Sequence, residues 1–209
     1  MRTPIATLAT FATLAAAPAL SATVISAGDF AAPAVIDFEG AALGTIAATD
    51  ALFSDAGIIG ITGTSETGDQ LGARTGVSRS LGIDGAGNPQ VIDPNGAFGL
   101  FLSATLTFAD PITRFGFEFS DQYNFTMTVE FFSGGSLVDS YSQAFGLGDL
   151  FSLYLESAAA FDEVRIAAPS GGIAFDSFTV GAPAVIPLPA TGATMALALG
   201  AMGWVRRKA

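Results

Sequence analysis

The chain has no cysteine and no histidine, and in 209 residues it carries one tryptophan and one lysine, both within six positions of the C-terminus. Without a thiol there is no disulfide and no cysteine nucleophile, and without an imidazole there is no Ser-His-Asp triad and no ordinary zinc site. Lys208 stands too near the end to serve a phosphate loop or a Schiff base in the body of the chain. Charge is scarce as well, at 13% of residues, and it is lopsided, with 19 acidic side chains against eight basic. What remains for chemistry is carboxylates, hydroxyls and four central arginines. Half the residues are apolar, with 18 Phe among them, enough to form the core of one domain.

Both ends read as addresses. Residues 1–22 place Arg2 before an Ala/Leu/Thr/Phe run and then small residues at Ala17-Pro18-Ala19 and Ser21-Ala22. That order predicts a secretory signal helix, to be removed by signal peptidase. Residues 186–209 begin Ile186-Pro187-Leu188-Pro189-Ala190, continue as an apolar run to Val205, and close on Arg206-Arg207-Lys208. Ile186 to Val205 is 20 residues without a charge, the length that crosses a hydrocarbon core of about 30 Å as a transmembrane helix. The basic cluster would stay on the cytoplasmic side, tethering an exported precursor to the membrane.

This three-part tail resembles the VPLPA form of the PEP-CTERM sorting signal, with Ile186 where that family usually has Val. The resemblance covers about the last 24 residues. It implies recognition by a membrane-embedded exosortase, removal of the tail, and delivery to the cell envelope, outer surface or matrix of a Gram-negative bacterium, often one that makes exopolysaccharide. Leu188-Pro189-Ala190-Thr191-Gly192 also matches the LPxTG signal, which would imply sortase cleavage after Thr191 and a Gram-positive wall. Against the latter, the hydrophobic stretch after Gly192 is only 13 residues long, and the N-terminus lacks a Lys-rich start.

Residues 28–183 read as one all-β domain. Phe115, Phe117 and Phe119 alternate with Arg114, Gly116 and Glu118, and Phe125, Met127, Val129 and Phe131 alternate with Thr126, Thr128 and Glu130. A period of two puts each apolar set on one strand face. Turn residues at Asp110-Pro111, Ser133-Gly134-Gly135, Gly146 to Asp149 and Pro169 to Gly172 punctuate further short segments. The pattern predicts an antiparallel β-sandwich of jelly-roll type whose Phe residues are its core. From Thr62 to Gly99 the rhythm breaks into a Gly-rich stretch, with short strands expected at Ser80 to Ile83 and Gln90 to Ile92.

Without its two ends the chain keeps four basic residues against 19 acidic, a net charge of −15. Such a body repels nucleic acid and attracts cations. Calcium is the cofactor this composition suits, since it takes oxygen ligands alone. Asp176 alternates with apolar residues on the last strand, and a carboxylate there is costly unless paired or metal-bound. First and last strands commonly pair in sandwiches. Asp37, Glu39, Thr45 and Asp176 therefore form a candidate calcium site, loosely resembling calcium-stabilised carbohydrate-binding jelly rolls. The alternatives for Asp176 are a turn cap or a pair with Arg165. Asp84, Asn88, Asp93 and Asn95 lack the order of an EF-hand and read as turn formers.

Asp121, Tyr123 and Asn124 form the best candidate carbohydrate site, and the same residues make an ordinary polar hairpin loop. Glycoside hydrolysis needs only two carboxylates, but Glu118, Glu130, Glu156 and Glu163 alternate outward with no close acidic motif. The expectation is an exported, C-terminally sorted, non-catalytic protein associated with exopolysaccharide. A carbohydrate-binding module is the alternative, and a secreted glycosidase stands behind it.

Overall fold

The computed structural model describes residues 21–47, 50–66, 79–84, 86, 88–92, 100–121, 124–146, 150–169 and 172–182. Residues 1–20 of the expected signal segment, the sorting motif Ile186 to Ala190, the transmembrane helix and Arg206-Arg207-Lys208 lie outside these residues. Among the described residues no helix is long and apolar enough to cross a membrane.

The strands are β1 (Thr23–Val24), β2 (Ala34–Asp37), β3 (Gly44–Thr45), β4 (Ile58–Glu66), β5 (Ser80–Ile83), β6 (Pro89–Ile92), β7 (Leu100–Asp121), β8 (Phe125–Ser133), β9 (Ser136–Phe145), β10 (Phe151–Ala167) and β11 (Ile173–Val180). One short helix, α1 (Ala51–Ser54), starts on Asp50, whose side chain accepts from the backbone N–H of Leu52. The sheet begins ahead of residue 28: β1 pairs with Glu156 and Leu155, and Ala22 is buried, its N–H donating to the Ser140 carbonyl.

Two long strands carry the architecture. β7 and β10 run antiparallel along most of their length, with Phe151 opposite Phe119 at one end and Ala167 opposite Ser103 at the other. Their register shifts twice at mid-length, between Glu156 and Phe161 and between Phe161 and Glu163. Such bulges bend a ribbon, and the two strands fold over together so that each contributes to two layers. The turn expected at Asp110-Pro111 is this corner and not a chain reversal, because β7 continues through it. Pro111 has no N–H to give a ladder, which suits it to the point where pairing lapses.

The first half of β7 and the second half of β10 build one layer, with β4 beside Leu100 to Phe108 of β7, then Phe161 to Ala167 of β10, then β8 and β9. The second layer holds β11 against the Phe115 to Asp121 half of β7. There Ile173 faces Asp121 and Val180 faces Phe115, so partners descend β7 as β11 ascends, an antiparallel ladder. One further bridge, Ile173 to Phe101, joins β11 to the start of β7 in the parallel sense. β2 and β5 share the other edge of β11, and β6 and β3 extend beyond β5. The fold is thus all-β, mostly antiparallel and sandwich-like.

Phe residues fill the space between the layers. Phe101 meets Phe175 at 5.3 Å between ring centroids, Phe108 meets Phe115 at 5.6 Å, and Phe131 meets Phe161 at 4.6 Å. Burial of one such side chain stabilises by about 1.5–3 kcal/mol, and each tilted ring pair adds about 0.5–1.5 kcal/mol. The β8–β9 hairpin turns on Gly134 and Gly135, with φ of 55° and 78°, the left-handed pair that a two-residue turn requires.

Candidate functional site

Four acidic residues gather on the second layer where β2, β11 and β7 lie side by side. Asp37 on β2 is in register with Ser177 on β11, and Ser177 is in turn opposite Glu118 on β7. Asp176 precedes Ser177, and Glu39 follows two residues after Asp37. The backbone N–H of Glu39 donates to Asp37 Oδ1 at 2.8 Å, and that of Arg79 donates to Glu39 Oε1 at 3.3 Å.

Glu118 is held at both oxygens. Oε1 accepts from Ser152 Oγ at 3.0 Å and Tyr154 Oη at 3.1 Å, and Oε2 from Ser177 Oγ at 3.3 Å. Tyr154 lies so close over Gly116 that a Cβ there would fall 2.1 Å from its ring, so only glycine fits beneath it. Partial burial, then the charge of Glu118, push the Tyr154 hydroxyl above its ordinary pKa.

Asp176 has the opposite environment. Its Oδ1 is buried and has no hydrogen-bond partner. Burial first, then the charges of Glu39, Glu118 and Asp37, push its carboxyl up to about 6. Phe175 pairs with Leu81 of β5, and one step along from that pair Ser80 is fully buried with its own Oγ unpartnered. An orphaned carboxylate oxygen and an orphaned hydroxyl thus belong to the residues that adjoin the Phe175–Leu81 pair.

Of the calcium candidates, the fold brings Asp37, Glu39 and Asp176 into one electrostatic neighbourhood. Thr45 is exposed on β3, where its backbone partner is Gln90 of β6. Among the described residues no three acidic side chains converge closely enough to hold a metal ion. The pairing of Asp176 with Arg165 does not form: Arg165 bonds Glu163 at 2.6 Å and lies over the Phe132 ring. Asp84 accepts from the backbone N–H groups of Ala86 and Asn88, the turn its residue type suggests, while Asp93 and Asn95 lie outside the described residues. Tyr123 and the side chain of Asp121 are also outside them, and Asn124 is exposed at the entry to β8.

The other strand glutamates are dispersed. Glu156 bonds Arg114 at 2.8 Å and Glu163 bonds Arg165, on different halves of β10. Glu118 acts on Asp176, a carboxylate of different environment, and strand pairing across 58 positions supplies that neighbour, so no local spacing announces it. No protein-family model matches the chain and no curated protein is similar to it.

Proposed function

We propose that the protein is an exported envelope or extracellular-matrix component whose acidic, jelly-roll-type sandwich is non-catalytic and associates with exopolysaccharide. What favours this reading over a sugar-stacking module is where the aromatic rings go. Phe101, Phe115, Phe117, Phe119, Phe175 and Phe178 are all fully buried, and the Tyr154 hydroxyl is spent on Glu118, so the rings serve packing between layers. A body of net charge −15 without its ends suits a hydrated polymer matrix and disfavours nucleic acid.

In this reading the precursor passes signal peptidase, is held in the membrane by its C-terminal helix, and is recognised through Ile186 to Ala190 by an exosortase that removes the tail. Mass spectrometry of the mature C-terminus tests it: loss of the apolar run and of Arg206-Arg207-Lys208 is expected, whereas a wall peptide on Thr191 would establish sortase anchoring instead.

Calcium belongs to the proposal through the orphaned Asp176 Oδ1, with Asp37 and Glu39 as neighbours. Millimolar calcium should then raise the melting temperature and a chelator reverse it; a melt unmoved by either removes the ion from the reading.

The carbohydrate-binding alternative rests on Asp121, Tyr123 and Asn124, and it predicts glycan-array binding by the full chain that Tyr123→Ala abolishes. Glycoside hydrolysis gains one specific observation, the Glu118 and Asp176 pair with its unlike environments. Oligosaccharide cleavage lost in Glu118→Gln and in Asp176→Asn would establish it over the non-catalytic reading.

A further inference from the structure

The end of the expected signal segment is part of the sheet. Ala22 is 4% exposed and belongs to the main core cluster. Its N–H donates to the Ser140 carbonyl on β9 at 2.9 Å, Thr23 and Val24 follow in register with Glu156 and Leu155 of β10, and the N–H of Ile25 donates to the Tyr154 carbonyl at 2.9 Å. Ser21, one residue earlier, is exposed, so the fold takes hold of the chain at Ala22.

We propose that signal peptidase cuts between Ala19 and Leu20, which ends the signal segment at residue 19 and leaves Ala22 in the mature chain; this rests on the reading of the protein as exported. Water adds across the Ala19–Leu20 amide, leaving a carboxylate on Ala19 and an ammonium group on Leu20. The enzyme selects small residues one and three positions before the bond it hydrolyses. Ala17-Pro18-Ala19 meets that rule, Ala19-Leu20-Ser21 meets it too, and Leu20-Ser21-Ala22 meets it at its last position. The fold separates the three, because residues that pack into the sheet cannot also be discarded with the signal. A cut after Ala22 would remove the buried methyl and the N–H that Ser140 accepts. A cut after Ser21 would turn that N–H into a terminal ammonium group on a buried residue, and a charge so placed is costly. A cut after Ala19 does neither, since the new charge stands two residues ahead of Ala22.

Expression of the full chain in a Gram-negative host, followed by mass spectrometry of the N-terminal peptide of the purified protein, tests this. A chain that begins at Leu20 is expected. A first residue of Ala22 or Thr23 overturns the proposal and leaves export intact, whereas a chain that still begins at Met1 overturns the export reading beneath it. Two variants sharpen the test. Ala19→Leu, which puts a large residue next to the bond, should eliminate the Leu20 terminus. Ala22→Leu should keep that terminus and lower the melting temperature of the product, because the extra methylenes must enter a packed site. Loss of processing in Ala22→Leu but not in Ala19→Leu would overturn the assignment.

Discussion

Two aspartates, one in each layer, have met burial differently. Asp139 on β9 is 2% exposed, and both its oxygens accept backbone N–H groups, Oδ1 from Ser140 at 2.9 Å and Oδ2 from Ala158 at 3.1 Å. Ala158 belongs to the bulge where β10 turns the corner, so Asp139 satisfies a donor that the ladder abandons there. Asp176 on β11 is less buried, yet it has an orphaned oxygen and three acidic neighbours. The contrast teaches that burial alone does not decide the fate of a carboxylate. Donors aimed at it make it a structural clamp, and their absence makes it a charge the fold tolerates at a cost.

The largest effect should come from removing the clamp. Asp139→Ala removes the buried carboxylate that accepts from two part-buried N–H groups and is expected to cost about 2–4 kcal/mol. Urea unfolding measures it directly, and a loss below about 1 kcal/mol would show that the bulge finds other acceptors and that the two aspartates differ less than their surroundings suggest.

Asp176→Asn should act in the reverse direction. A carboxyl pushed up to about 6 from 3.8 favours the protonated form on folding. Its stabilising contribution is full below the unfolded value and is lost as pH rises through about 6. At pH 7.5 the ionised group therefore penalises the fold, and the neutral amide should stabilise by roughly 1–2 kcal/mol, once solvent screening of a partly exposed group is allowed for. The gain should vanish near pH 4. A variant less stable than the parent at pH 7.5 in calcium-free buffer would mean that Asp176 has a favourable partner after all.

The two aspartates also mark what the sequence can convey. Period-two alternation located β8 and the second half of β7 and named their Phe residues as core, because a strand's inward face is written locally. Gly134-Gly135 specified its turn, since few residues adopt positive φ twice in succession. Asp110-Pro111 signalled interruption, but a break in pairing looks alike in sequence whether the chain reverses or bends. Asp176 stood out as a carboxylate on an apolar strand, and Asp37 and Glu39 as its neighbours across the first-to-last strand pairing. Glu118, Ser80 and the clamp at Asp139 did not, because each depends on which strands lie side by side, and Thr45 was carried in by proximity in sequence to a loop that leads it away to β6.

The smallest expected effect separates donors from water. Glu163 on β10 accepts from Arg165, but here the side chains are 24% and 48% exposed, so water can replace the guanidinium as donor. Arg165→Met keeps an apolar stem over the Phe132 ring while removing the charge. It should cost less than about 1 kcal/mol, and the loss should shrink further in high salt. If the loss instead rivalled that of Asp139→Ala, a solvated ion pair would be as strong a support as a buried clamp, and the distinction between the two aspartates would rest on something other than access to water.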